Sequence, residues 1–269
     1  MTSYLSRSEH FERVGSTNDV VRGWLADGEP EVCLATAEEQ TAGRGRAGRT
    51  WTAPRGAALL LSLGFRPTWL PPDRVWQLAA IVSLAMADAA AEVAGLPDGL
   101  VRLKWPNDLV TERKDRGLRK VGGVLGETDG LGTDDPRVIV GIGVNADWSA
   151  ADFPPELAAT MTSLRDEAGR GSIDANRLLA AFTERLGPRL DALRAGRFDA
   201  ADWAGRQVTN GRSIRLDGPR GAEVVHSIGV DGATGALVVA DQEAPDGRRQ
   251  VYVGEVQRVR LEPPAPVGV

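Results

Sequence analysis

Glycine and arginine alternate between residues 40 and 51, in the stretch QTAGRGRAGRTW. Glycine reaches positive φ and lets backbone amides approach a ligand closely. Arginine presents a rigid fork of donors that matches a carboxylate or a phosphate. No acidic residue falls between Gln40 and Trp51. The stretch therefore predicts a tight, positively charged loop for an anionic small molecule, with a solvated basic hairpin as the alternative.

The segments on either side of this loop are apolar and read as two strands, at 31–38 and 57–65. A strand, a glycine loop and a second strand predict an antiparallel pair with the loop at one end. From Pro72 or Asp73 to Ala94, apolar residues recur on one helical face, which predicts a long helix. We predict further strands at 9–14, 101–109, 120–127 and 137–142, and helices at 174–195 and 198–206.

The last quarter of the chain has a different pattern of residues. From Val208 onward, short β-type runs at 213–216, 223–230, 236–239 and 251–253 are divided by Asp-Gly turns. Such runs predict a small all-β barrel. We therefore predict a first domain over 1–207, a small β-domain over 208–262 and a tail over 263–269.

Composition narrows the class of protein. The formal net charge of −5 argues against bulk binding of nucleic acid. The single cysteine, Cys33, lies in an apolar run and is predicted to be a buried thiol, which fits a reducing compartment. The apolar stretch 78–94 contains Asp88 and Glu92, so a buried helix is favoured over a membrane span. With no apolar segment in the first 13 residues to act as a signal, we expect a cytoplasmic protein.

Several polar residues stand at places where a ligand could bind. Ser16 and Thr17 precede a helical pattern, so they either cap the helix or hold a polar ligand group. Asp108 follows Pro106 in a turn, where it could bond local backbone, orient a lysine or hold Mg²⁺. Lys120 precedes paired glycines that permit close approach, although a solvated lysine is the alternative. The spacing of the glycines at 141 and 143 is similar to that of a dinucleotide-binding motif. We reject this interpretation because no helical pattern follows the glycines.

Four segments, taken in order, resemble the biotin–protein ligase family. They are GSTN at 15–18, the stretch at 40–51, KWPND at 104–108 and KVGGVLGE at 120–127, and GIGVN at 141–145 continues the pattern. The resemblance covers about residues 12–146, and the final β-domain is similar to the family's SH3-like module. It implies an α+β fold, with a mixed β-sheet and flanking helices of the class II aminoacyl-tRNA synthetase type, followed by a small SH3-like β-barrel.

The resemblance also implies a reaction in two steps. ATP and biotin give biotinyl-5′-AMP and pyrophosphate with Mg²⁺. The ε-amine of a specific lysine on the biotin carboxyl carrier domain of a carboxylase then attacks, and AMP leaves. No residue need act as a covalent nucleophile, and the catalytic residues Arg46 and Lys120 are expected to act through position and charge.

The resemblance assigns the site residue by residue. Contacts to the biotin ring system are implied for Ser16, Thr17 and Gln40. The resemblance implies that the loop which closes on biotin is formed by Gly43, Arg44, Gly45 and Arg46. Within it, Arg46 and Arg49 are implied to face the phosphates. Lys120 is implied to contact the biotin carboxylate and the α-phosphate oxygens. Asn145 matches an asparagine near the adenine. Further binding residues are Asn18, Trp51, Gly123, Gly141 and Gly143, and Asp108 is the candidate metal ligand.

Other functions with the same fold remain open. A lipoate ligase or octanoyl transferase would lack this glycine–arginine loop. A module that stores or senses biotin or a nucleotide would bind its ligand but catalyse no reaction. Some biotin ligases also act as repressors through an amino-terminal helix-turn-helix. About fifteen residues precede Ser16, too few for that module, so we expect no DNA binding. We also expect no membrane partner, and a monomer or weak homodimer.

Overall fold

The computed structural model describes residues 4–115, 117–169, 171–219 and 221–262. The predicted tail at 263–269 lies outside these described residues. The chain divides into two compact units, Met1–Arg102 with Asn107–Phe198, and Leu103–Pro106 with Asp199–Val269. The second unit takes in residues 199–207, while the domain boundary after residue 207 stays a prediction.

Seven strands form the larger sheet, in the order β1-β2-β3-β7-β6-β5-β4. They are β1 (Arg7–Val14), β2 (Cys33–Gln40), β3 (Ala58–Phe65), β4 (Val101–Lys104), β5 (Asp108–Arg113), β6 (Gly117–Asp129) and β7 (Arg137–Asn145). Strand β1 pairs parallel to β2, whereas the β2–β3, β3–β7, β7–β6 and β6–β5 pairs are antiparallel. The predicted mixed sheet and the predicted antiparallel pair around the glycine loop are confirmed.

The described residues form six α-helices, the last of them in the second unit. They are α1 (Thr17–Ala26), α2 (Trp76–Ala94), α3 (Pro155–Ala158), α4 (Leu164–Ala168), α5 (Ala175–Arg194) and α6 (Ala200–Gly205). Helix α1 packs its Val21, Trp24 and Leu25 side chains against Ile139 of β7 and Cys33 of β2. This packing places the amino terminus of α1 over the face of the sheet that carries the candidate site.

Helix α2 is a helix of the core. A 3₁₀ turn at Pro72–Arg74 leads into it, and Gly95, at φ 62°, ends it in the left-handed conformation. By length and composition alone, Pro72–Ala94 could cross a membrane, but 72% of its apolar window is buried inside the fold. The predicted buried helix is therefore confirmed.

The second unit contains a five-stranded antiparallel sheet in the order β11-β10-β9-β8-β12. Its strands are β8 (Arg212–Gly218), β9 (Gly221–Val230), β10 (Leu237–Ala240), β11 (Arg248–Val251) and β12 (Arg258–Leu261). The strand predicted at 251–253 is wrong in position, because β11 ends at Val251 and a 3₁₀ turn occupies Val253–Glu255. Strand β12 was not predicted, because its four residues are too few to show a strand-like alternation of polar and apolar residues.

Candidate functional site

The site begins at the amino terminus of α1, where three consecutive polar residues are buried. Ser16, Thr17 and Asn18 are 4%, 2% and 4% exposed. Ser16 occupies the N-cap position with an extended backbone, yet its side chain makes no capping hydrogen bond. Helix capping alone therefore does not explain this hydroxyl group.

A chain of hydrogen bonds crosses the sheet beneath this helix end. Gln40 Oε1 accepts from the backbone N–H of Thr17 at 2.8 Å and from its hydroxyl at 3.0 Å. Ser62 Oγ lies 2.7 Å from Thr17 Oγ1 and 2.5 Å from Asn18 Oδ1. Asn18 Nδ2 in turn donates to Glu127 Oε2 at 2.6 Å. The chain runs from the end of β2 to β6 and holds these polar side chains in fixed orientations.

Three glycines on neighbouring strands form what we call the glycine floor: Gly141 and Gly143 on β7, and Gly123 on β6, which pairs with Gly143. A Cβ atom on Gly141 would collide with Asn18 Oδ1, and one on Gly143 would lie 2.6 Å from Cε2 of Trp51. Both positions lie inside a strand that runs on to Asn145, which supports the rejection of a dinucleotide fingerprint.

Residues 43–51, the glycine–arginine hairpin, fold as a tight turn. Trp51 N–H donates to Gly43 O at 2.9 Å, and Gly45 N–H donates to Arg49 O at 2.7 Å. A 3₁₀ turn at Arg46–Gly48 closes the tip, where Ala47 takes the left-handed conformation at φ 55°. The hairpin thus carries the Trp51 indole ring onto the glycine floor.

The arginines of the hairpin have different surroundings. The Arg44 guanidinium group donates two hydrogen bonds of 2.7 Å to the carboxylate of Asp19 on α1. At Arg46, burial lowers the pKa of the guanidinium group, the charge of Arg49 lowers it further, and the charge of Asp108 opposes both. Arg46 therefore has Arg49 and Asp108 as charged neighbours, while Arg44 binds a different carboxylate.

Lys120 and Asp108 form an ion pair beside the glycine floor. Lys120 Nζ lies 2.6 Å from Asp108 Oδ1, and the two side chains are 24% and 16% exposed. The same Nζ lies 5.4 Å from the centre of the Trp51 ring, and a Cβ on Gly123 would lie 2.9 Å from it. Of the readings left open for Asp108, the orientation of a lysine is the one this geometry supports.

Two polar atoms near the floor are buried without a hydrogen-bond partner among the described residues: Asn145 Oδ1 and Trp51 Nε1. Asn145 is fully buried, and its Nδ2 donates to Thr162 O at 3.0 Å, so the orientation of the amide is set. One acceptor and one donor are thus able to bond to a ligand or to a water molecule, because buried polar atoms normally have partners.

The described residues contain no group of three or more His, Cys, Asp or Glu side chains that could hold a metal ion. Asp108 offers one carboxylate. Magnesium is commonly held by one or two carboxylates together with the phosphates of its substrate, so the donor set fits a nucleotide-bound ion. The role of Asp108 as a metal ligand stays a prediction.

Cys33 lies in the core and not at the site. Burial is the main cause that raises the pKa of its thiol to about 11. A neutral, enclosed thiol is a poor nucleophile. The predicted buried thiol is confirmed.

Comparison with known proteins identifies the family of this chain. The model of the biotin/lipoate A/B protein ligase family matches residues 10–145. The chain is 34% identical over 215 residues to the biotin–[acetyl-CoA-carboxylase] ligase of Mycobacterium tuberculosis, covering 79% of this chain and 75% of that protein. It is 32% identical over 240 residues to the ligase of the same name from Paracoccus denitrificans, covering 86% and 92%.

The fold has close counterparts among solved structures. The biotin protein ligase from Aquifex aeolicus, in complex with biotin and ATP, superposes with a TM-score of 0.76 at 24% identity, covering 95% of this chain and 99% of that one. The likeness supports the mixed sheet followed by a small β-domain. Because the family model matches residues 10–145 and two ligases share more than 30% identity over most of both chains, this chain belongs to the biotin/lipoate A/B protein ligase family.

Proposed function

We propose that this protein activates biotin with ATP as biotinyl-5′-AMP. It then transfers biotin to the ε-amine of a specific lysine on the biotin carboxyl carrier domain of a biotin-dependent carboxylase. The observation that carries the proposal is the ion pair of Lys120 with Asp108 beside the glycine floor, together with Arg46, whose guanidinium group is influenced by the charges of both Asp108 and Arg49. Three cations and one carboxylate leave a positive site suited to a triphosphate and a carboxylate.

The buried polar chain suits the ring system of biotin. The ureido group of biotin has two N–H donors and one carbonyl acceptor, and Ser16, Thr17, Asn18 and Gln40 offer neutral groups of both kinds. The ring sulfur and the aliphatic chain are apolar, and the Trp51 ring that lies on the glycine floor offers them an apolar surface. We therefore assign the helix end to the ring system, with the biotin carboxylate directed towards Lys120.

Activation requires two anions to meet. A carboxylate oxygen of biotin attacks the α-phosphorus of ATP, a new P–O bond forms, and the bond to the β-phosphate breaks to release pyrophosphate. Lys120 and Arg46 offset the repulsion and stabilise the charge that develops on the α-phosphate oxygens. Asp108 holds Nζ of Lys120 in place at 2.6 Å. Mg²⁺, when bound with ATP, neutralises the phosphates, and Asp108 is its candidate protein ligand.

The remaining groups hold the nucleotide and protect the product. Asn145 Oδ1 is a buried acceptor suited to the amino group of adenine. The hairpin and Trp51 shield the mixed anhydride from water, which would otherwise hydrolyse it. In the second step the lysine amine attacks the carbonyl carbon, a C–N bond forms, and AMP leaves with the C–O bond electrons.

We further propose a cytoplasmic protein that acts as a monomer or weak homodimer and binds neither DNA nor a membrane. The carrier domain of an acyl-CoA carboxylase is then its main protein partner. A gel-shift measurement with DNA from upstream of biotin genes tests the proposal that the protein does not bind DNA. A tight complex that forms only with biotinyl-5′-AMP would show that the exclusion is wrong.

Release of pyrophosphate from ATP and Mg²⁺ tests the main proposal, with biotin compared against lipoate and octanoate. We expect release with biotin to stop near one equivalent of protein and to resume when an acceptor carrier domain is added. Release only with lipoate or octanoate would assign the chain to the other activities of this family. Tight binding of biotin without release of pyrophosphate would show that the protein is a binding module and not a ligase.

A further inference from the structure

The glycine–arginine hairpin is tied to the rest of the protein by a cluster of charged side chains, of which Arg44 alone is among the binding residues assigned above. We propose that Asp19 and Glu127 are positioning residues, which hold the hairpin over the glycine floor through the side chain of Arg44. The inference rests on the proposed function, since it concerns how long the activated biotin is retained.

Arg44 is fully committed to this cluster. Its Nη1 and Nη2 atoms donate to the two carboxylate oxygens of Asp19, each at 2.7 Å, and Nη2 also lies 3.4 Å from Glu127 Oε2. The hydrogen bond from Arg44 is the main cause that lowers the pKa of Asp19. A bidentate pair of this kind fixes the orientation of the guanidinium plane. Arg44 therefore acts as a structural connection, unlike Arg46 and Arg49.

The cluster is balanced in charge. A second guanidinium group, Arg22, donates to Asp19 Oδ1 at 2.6 Å and to Glu127 Oε2 at 2.8 Å. Asp19 and Arg22 belong to α1 and Glu127 belongs to β6, so Arg44 is the member that comes from the hairpin. Loss of either carboxylate leaves two guanidinium groups competing for one anion.

Glu127 also reaches the wall of the site. Its Oε2 atom accepts from Asn18 Nδ2 at 2.6 Å, which turns Asn18 Oδ1 towards the Ser62 hydroxyl group at 2.5 Å. The same Oδ1 atom is the one that a Cβ on Gly141 would strike. One carboxylate thus orients both the hairpin and the amide beside the glycine floor.

The strength of this connection is limited by solvent. The side chains of Glu127, Arg44 and Asp19 are 25%, 36% and 51% exposed. Ion pairs at such positions are weak individually and are screened by salt. We therefore expect the cluster to tune the lifetime of the closed hairpin without being required for the chemistry.

The first experiment measures how fast labelled biotinyl-5′-AMP escapes from Asp19→Asn and Glu127→Gln variants at low salt. We expect escape to be about three- to tenfold faster, as for the loss of a small ion-pair network. For Asp19→Asn, the single-turnover rate of adenylation at saturating biotin and ATP should change less than about twofold. Asp19→Glu, which keeps the carboxylate, should restore much of the retention.

A second readout needs no reaction. Trypsin cleaves after arginine where the backbone can leave its folded conformation, so we expect ligand-free Asp19→Asn to be cut after Arg46 and Arg49 about three- to tenfold faster. High salt should remove the difference from the unmodified protein, because the Debye length falls to about 3 Å at 1 M.

Asp88→Asn is the matched control. Asp88 pairs with Arg189 at 2.8 Å between α2 and α5, with side chains 28% and 23% exposed. We expect it to change neither escape nor cleavage. The positioning role is wrong if Asp19→Asn and Glu127→Gln behave like the unmodified protein in the cleavage measurement, or if Asp88→Asn matches their effect. Failure of the unmodified protein to adenylate biotin would overturn the proposed function instead, while the cleavage measurement still decides the role of the cluster.

Discussion

Gly143 supports the indole ring of Trp51 directly, because a Cβ atom at position 143 would lie 2.6 Å from Cε2 of that ring. The contact joins the end of the glycine–arginine hairpin to β7, the middle strand of the seven-stranded sheet. Any carbon added there must displace either the ring or the strand. The absence of a side chain at Gly143 therefore sets where Trp51 lies.

Gly143→Ala should impair biotin activation. The extra methyl group costs about 1–3 kcal/mol of overpacking, which corresponds to roughly a 5- to 150-fold loss in kcat/KM for biotin. Gly126→Ala on the adjacent strand is the control, since a Cβ there meets nothing within 4 Å. Equal kinetics for the two variants would show that the contact between Gly143 and Trp51 does not matter for the site.

Lys120→Ala should lower the rate of pyrophosphate release by about 10²- to 10³-fold, because a preorganised cation at the α-phosphate is lost. Asp108→Asn should lower it less, since the lysine keeps its charge and loses its orientation. Lys114→Ala, in the exposed turn between β5 and β6, serves as the control. Unchanged release by Lys120→Ala would exclude this residue from catalysis and favour a binding module.

Cys33 should be inert in the folded protein. Its thiol titrates at about 11 compared with 9.0 for a free thiol, so the folded state keeps the proton that the unfolded chain loses. The free energy of unfolding should consequently fall as pH rises from about 9 to about 11. Cys33→Ala should remove that component and retain ligase activity. Loss of activity in Cys33→Ala, with intact folding, would instead support a thioester mechanism.

Glu167 carries a buried charge that depends on Arg113. Its side chain is 1% exposed and accepts a hydrogen bond from Arg113 Nε at 2.6 Å and another from the Thr162 hydroxyl group at 2.9 Å. Arg113→Ala should lower the free energy of unfolding by about 3 kcal/mol, because an unpaired carboxylate remains in the interior. Urea titration measures this change.

The control for that variant is Arg185→Ala. Arg185 is as exposed as Arg113, at 32%, but its partner Glu92 is 53% exposed. Water can solvate the carboxylate that remains, so the loss should be below about 1 kcal/mol. Similar losses for both variants would mean that burial of Glu167 does not set the cost.

Local sequence patterns predicted most of the fold because their signals are strong. Helices α2 and α5 repeat apolar residues over nineteen and twenty residues, and β2 and β3 flank a glycine loop. Strand β12 (Arg258–Leu261) alternates charged and apolar residues over only four positions, so its period could not be distinguished from a loop. Its pairing with β8 depends on contacts that are distant in sequence.

The candidate site was only partly visible in the sequence. Its motifs pointed to the hairpin and to Lys120, and the structure brings these together with the glycine floor. Ser62, Asp19 and Glu127 were missed, because their contacts come from pairing between distant segments. Ser62 did leave a signal: it is the one hydroxyl group in a strand of eight buried residues. A buried hydroxyl group needs a hydrogen-bond partner.

The assignment of Leu103–Pro106 to the second unit has a consequence for biosynthesis. Trp105 is 1% exposed, and its Nε1 atom donates to Gly235 O at 3.0 Å, 130 residues later in the chain. During translation this indole leaves the ribosome long before Gly235, its hydrogen-bond partner. Until residue 235 has emerged, the nascent chain presents a large apolar group to chaperones. Fragments that end before Asp199 should therefore aggregate, however well the larger sheet is formed.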